Sequence, residues 1–149
     1  RDPSRREIDR ARREFFDSGL LQDAEKEYVE ATLTIDALSN ESLPSAEDLG
    51  VGPAPYMNGL AEAESELRRS ILDQLRAGDL ETAERLLGFM DMVYAVLITL
   101  DYPDAVTRGL RRTTDQFRAV LERTRSDLTV AARQLALEER LRQVVDGLE

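Results

Sequence analysis

Between Val106 and Asp146 the sequence contains no proline and a single glycine, Gly109, and apolar residues return at every third or fourth position. Leu110, Phe117, Leu121, Leu128 and Leu135 keep this spacing, with Thr114, Thr124 and Ala131 filling it in. Such a run cannot be a strand or a loop. It predicts one helix of about 50–60 Å at 1.5 Å per residue. From Leu137 the phase moves to Leu141, Val144 and Leu148, so the last part is predicted to pack on a different partner from the first.

The rest of the chain reads the same way. Asp2-Pro3 would open a short Arg-rich helix with Pro at its first position. Asp17-Ser18-Gly19 would open another, with Leu21, Ala24, Tyr28, Ala31, Ile35 and Leu38 as its apolar stripe. Residues Asn40 to Pro53 read as a loop with one helical turn. From Pro55 a further helix carries Tyr56, Leu60, Ala63, Leu67, Ile71 and Leu75 on one face and stops at Gly78. Asp79 would cap a helix that is apolar almost all round from Leu86 to Leu100, with Met90, Met92 and Tyr94 in the core, and Tyr102-Pro103-Asp104 would break it. No stretch alternates like a half-buried strand, and no repeat or glycine-rich phosphate loop is present. The expected fold is all-α, an up-and-down bundle of long antiparallel helices.

At 149 residues the chain, 1–149, is expected to form one domain with its own core. It has no His and no Cys. Zinc sites, thiolate chemistry and a His general base are therefore excluded, leaving carboxylates, hydroxyls, Arg and the lone lysine, Lys26, for any catalysis. Asp and Glu number 30 against 20 Lys and Arg, a net charge of −10. A surface rich in carboxylates and poor in lysine suits a halophile's high-salt cytoplasm, where self-repulsion is screened; a GC-rich genome favouring Arg codons is the alternative. The acidity argues against a general nucleic-acid binder but not against a local basic patch or a cation-bridged site. No leader or membrane span is visible, and a cytoplasmic protein with no membrane partner is expected.

Two pairs of carboxylates stand at helical spacing, Glu27/Glu30 and Glu62/Glu66. Each pair lies on one side of its helix. If the two helices pack together, four carboxylates converge on a site for a hard cation such as Mg²⁺, which opens a route to phosphodiester hydrolysis. Acidic helices often carry such pairs as a solvated face. For Arg111, Arg112, Arg118, Arg123 and Arg125, ion pairing with Asp115, Glu122 and Asp127 is favoured over an RNA-backbone track.

The wording around the pairs is more specific. Glu27-Tyr28-Val29-Glu30-Ala31, then Leu43-Pro44-Ser45 to Leu49-Gly50-Val51, then Tyr56-Met57-Asn58-Gly59 through Arg69, then Gly78-Asp79-Leu80 follow in order. Leu100 to Asp104 and Gly109-Leu110-Arg111-Arg112 continue the pattern. From about Phe15 to Leu128 the chain resembles the translin and translin-associated factor X (TRAX) family, and the factor X side and its archaeal relatives most closely.

That resemblance implies a Mg²⁺-dependent endoribonuclease, with Mn²⁺ as a substitute, acting on single-stranded RNA and assembled into a homo-octameric shell. Single-stranded DNA is a further expected ligand. It implies Glu27, Glu30, Glu62 and Glu66 as catalytic and metal-binding residues. The alternative is a non-catalytic RNA- or DNA-binding shell subunit, and a third reading is a structural oligomerisation module. Glu62 stands where the family pattern has Asp. Leu20 to Glu25 lacks the Arg and His of the translin-type RNA-binding subunits, which sets that subunit type aside. The family also has a long helical hairpin where this chain has only Arg1 to Glu14. With Arg1 not a start residue and no shared apolar phase across Glu14-Phe15, a segment is expected to be missing there.

Overall fold

Proline and glycine set the boundaries of the helices. In the computed structural model, the described residues are 7, 19–99 and 110–147. Among them six helices are delimited: α1 (Gly19–Ser39), α2 (Ala46–Leu49), α3 (Pro53–Glu62), α4 (Glu64–Ala77), α5 (Leu80–Thr99) and α6 (Leu110–Asp146). No described residue is in a strand. The expected Asp2-Pro3 helix, the Glu14–Phe15 junction and the Tyr102-Pro103-Asp104 break lie outside the described residues.

The single turn α2 is closed by a reciprocal capping box. Asp48 N–H donates to Ser45 Oγ at 3.2 Å, and Ser45 N–H donates to Asp48 Oδ2 at 2.9 Å. The Ser45 hydroxyl also donates to Asp48 Oδ2 at 2.6 Å, and this bond, with the one from the Ser45 amide, holds the Asp48 carboxyl below the usual carboxylate range. The next helix begins at Pro53 rather than Pro55. Gly52 is its N-cap, and Pro53 fits the first position because no amide donor is needed there. It is also divided at Ala63, giving α3 and α4 instead of one unbroken helix. Gly78 ends α4 with φ +79°, a left-handed conformation in which its N–H reaches the Gln74 and Leu75 carbonyls. Asp79 then caps α5 by accepting from Thr82 N–H at 2.9 Å.

The helices form an up-and-down antiparallel bundle. α1 packs on α3, α4 on α5, and α6 lies along α3, α4 and α5. Val29, Leu33, Leu60, Leu67, Met90 and Phe117 are among its fully buried side chains, and the Tyr94 ring stacks on Phe117 with centroids 6.2 Å apart. Arg68 fastens α4 to α6, donating from Nη1 to Thr124 Oγ1 at 2.9 Å and from Nη2 to Asp127 Oδ2 at 2.7 Å. Arg85 on α5 donates to the Ala37 carbonyl at 2.6 Å, satisfying one of the last acceptors of α1.

Three expectations are corrected. The face of α1 that enters the core is Val29, Leu33 and Ala37, while Tyr28, Ile35 and Leu38 are exposed, Ile35 at 61%. α1 is apolar on two sides, and only one side meets the bundle. Met92 is also outside the core, at 51% exposure, although Met90 is fully buried. Finally, Arg125 pairs with Asp91 on α5 and Asp127 pairs with Arg68 on α4, so these charges link helices instead of neighbouring turns of α6.

α6 is 37 residues long, about 55 Å at the usual rise. Its buried residues, Leu110, Phe117, Leu121, Thr124 and Leu128, all lie in its first half. Leu137, Leu141, Val144 and Val145 are exposed, and beyond Ala132 only Leu135 of the described residues is even half-buried. The change of phase at Leu137 therefore coincides with the point where the helix leaves the bundle.

Candidate metal centre

The crossing of α1 and α3 creates the site. At Gly59 the two backbones approach so closely that an added Cβ would lie 2.6 Å from Val29 Cβ and 2.7 Å from Val29 Cγ1. Glycine is needed here for close approach and not for an unusual φ. Val29 is buried at this crossing, so its neighbour Glu30 emerges at the rim, beside Glu27 from the preceding turn. Glu62 comes from the opposite helix, one turn after Gly59.

Glu27, Glu30 and Glu62 each offer a carboxylate oxygen, and these oxygens lie within 4.8 Å of one another. Glu27 is exposed; Glu30 and Glu62 are half-buried. Burial raises the pKa of Glu30 above the usual carboxylate range, and the charges of Glu27, Glu62 and, more weakly, Glu66 push in the same direction. Lys26 partly offsets them. Its ammonium sits 2.7 Å from Glu62 Oε2 and 3.4 Å from Glu27 Oε1. The hydrogen bond to Glu62 is the main reason that the Lys26 pKa is raised.

Glu66 is not part of this close group. It follows Glu62 by one turn, past the division at Ala63, and its Oε2 is 4.0 Å from Arg69 Nη1 on its own helix. The expected set of four is therefore a triad with a fourth carboxylate near enough to be felt by Glu30. Glu64 has a different environment. Among the described residues its buried Oε2 has no hydrogen-bond partner, and burial pushes its pKa up to about 7.

The donor set matches a hard cation. It is all carboxylate oxygen, it comes from two helices, and its spacing is of the order of the roughly 3–5 Å between oxygens gathered round one such ion. Glu27, Glu30 and Glu62 are the residues that would hold it.

No family model matches the chain. It is 34% identical over 131 residues to the uncharacterized protein MJ0175 of Methanocaldococcus jannaschii, an alignment covering 87% of this chain. The chain spans 59% of the length of that protein. Two solved structures of AfC3PO, an archaeal C3PO of the translin/TRAX type, have TM-scores of 0.74 and 0.73 to it at 38% and 37% identity. They cover 86% and 87% of this chain, which in turn covers 68% of AfC3PO in each. The chain belongs to the translin/TRAX family. One of the two AfC3PO structures is a complex with duplex RNA.

In this translin/TRAX chain the sequence pattern located the carboxylates but missed two residues that shape their surroundings. Lys26 stood out only as the one lysine; its position four residues before Glu30 and beside Glu27 was the available signal. Gly59 belongs to the Tyr56-Met57-Asn58-Gly59 motif, and its role at the helix crossing has no signature in a single sequence. No helix among the described residues is long and apolar enough to cross a membrane.

Proposed function

We propose that this chain is the catalytic subunit of a Mg²⁺-dependent endoribonuclease of the translin-associated factor X type, acting on single-stranded RNA in the cytoplasm. The observation that carries the reading is the convergence of Glu27, Glu30 and Glu62 from two helices. Membership of the family and the RNA complex of AfC3PO support it. When bound, a divalent cation supplies Lewis-acid polarisation of a phosphodiester and lowers the pKa of water. The side chains do the rest. Glu27, Glu30 and Glu62 would hold and orient the ion, and Glu66, one turn on, would orient water at the edge of the site. Mn²⁺ would serve in place of Mg²⁺.

The subunits are proposed to assemble as a homo-oligomer, an octamer by analogy with the family's shells. The uncovered apolar stripes of α1 and of the end of α6 support assembly. The acidic surface would keep such a shell soluble in the high-salt cytoplasm of a halophile.

The second reading is a shell subunit that binds single-stranded RNA or DNA without cutting it. Lys26 favours it, because its ammonium compensates the triad without any metal. An RNA cleavage assay at high salt separates the two. Wild type should cut with Mg²⁺ and not with chelator, and Glu30→Ala should lose about 100-fold or more of the rate. Binding without cleavage by wild type supports the second reading. Cleavage that persists in chelator or in Glu30→Ala overturns the first. Single-stranded and duplex substrates should both be used.

A further inference from the structure

The chain has one lysine among its 20 basic residues, and its ammonium bridges two of the three carboxylates, Glu27 and Glu62. A chance surface lysine would keep most of its side chain in water. Lys26 keeps only 21% of its side-chain surface, while the carboxylates it meets come from both helices of the crossing. Arginine is the basic residue everywhere else. The two differ in a way that matters at this position. A guanidinium is a rigid planar fork that would bridge two carboxylates broadly, whereas an ammonium is a compact charge on a flexible stem. A compact charge is the closer mimic of a metal ion.

We infer that Lys26 is a built-in counter-cation that pairs with Glu27 and Glu62 of the triad until a divalent ion displaces it, so that it sets which cations the site accepts. The inference rests on the proposed metal-binding role of Glu27, Glu30 and Glu62. An entering ion must exchange for a charge already held at 2.7 Å from Glu62. A monovalent ion gains nothing by that exchange, since it replaces one unit of charge with another and must lose its own water. A divalent ion gains one unit. The exchange therefore filters out monovalent ions, a property suited to a cell interior rich in them. The flexible lysine stem can then swing clear while its backbone stays fixed at the crossing.

Calorimetric titration with Mn²⁺ tests this on the full chain, comparing wild type with Lys26→Met and Lys26→Gln. Removing the competing charge should tighten Mn²⁺ binding by about tenfold or more. KCl and tetramethylammonium chloride at equal ionic strength should weaken Mn²⁺ binding equally in wild type. In Lys26→Met, KCl should weaken it more, because K⁺ can then enter. In chelator both variants should melt below wild type, and saturating Mn²⁺ should reverse the order. Mn²⁺ binding that is equal or weaker in both folded variants overturns the exchange and leaves the metal site standing. No Mn²⁺ binding by wild type or by either variant overturns the metal site and the exchange together.

Discussion

The Lys26 carbonyl oxygen lies 2.8 Å from where a Cβ on Gly59 would stand, so the residue whose ammonium pairs with Glu27 and Glu62 also forms one wall of the helix crossing. Val29 supplies the other wall, closer still. The spacing of the carboxylates and the tightness of the crossing are thus one property, and they should fail together.

Gly59→Ala should lose about 2–4 kcal/mol of stability in urea denaturation, because the clash is with backbone and a β-branched side chain that cannot turn away. Mn²⁺ binding should weaken in the same variant. Gly88→Ala is the control. Beyond its own stretch of helix, no atom of the described residues lies within 4 Å of a Cβ there, the site is exposed in mid-helix, and stability should rise by about 0.5–1 kcal/mol.

Arg68→Ala should cost about 1–3 kcal/mol, since it removes a bond to a buried hydroxyl and an ion pair between α4 and α6. Asp127→Asn should cost less. Thr124 would still donate to the Val120 carbonyl, so its hydroxyl is not stranded by either change. Additivity of the two losses in the double mutant would show that the pair does not act as a unit.

Glu64 should make the protein less stable as pH rises from about 5 to 8. Its folded pKa, about 7, is above the unfolded value of 4.5, so the native state holds the proton longer. Stability is highest below the unfolded value and is lost as pH climbs to the folded one. The expected loss is about 1–2 kcal/mol, less than for a fully enclosed carboxyl because water still reaches part of this one. Urea titrations at the two pH values should show this slope in wild type and a flatter one in Glu64→Gln.

Light scattering at high salt should give a mass that is a multiple of 16.8 kDa. Leu137→Glu combined with Leu141→Glu should lower it, since both side chains are more than half exposed on the part of α6 that has left the bundle. A wild-type mass of one chain would remove assembly from the proposal.

The helices were legible because their signals are local. Gly78 stops α4, Asp79 caps α5, and the phase change at Leu137 falls where α6 leaves the core. What could not be read from one chain was which side of a doubly apolar helix is covered. On α1, Tyr28, Ile35 and Leu38 fit the spacing rule as well as Val29, Leu33 and Ala37 do. The choice is made by Gly59, a tertiary partner that admits Val29 to the crossing. The candidate site divides in the same way. Spacing put Glu27 near Glu30, and family wording paired them with Glu62, but the separation of Glu66 depends on Arg69 and on the division at Ala63.

The projecting half of α6 has a consequence for how this chain is measured. Among the described residues, those from about 133 onward are almost all exposed, and an isolated helix of this length frays readily in water. Their hydrogen exchange should therefore be fast in dilute protein and slow on concentration, while amides beside Phe117 and Leu121 stay slow throughout. A single melting temperature would average two processes. The far end of α6 would report the concentration of the sample, and the near end the strength of the fold.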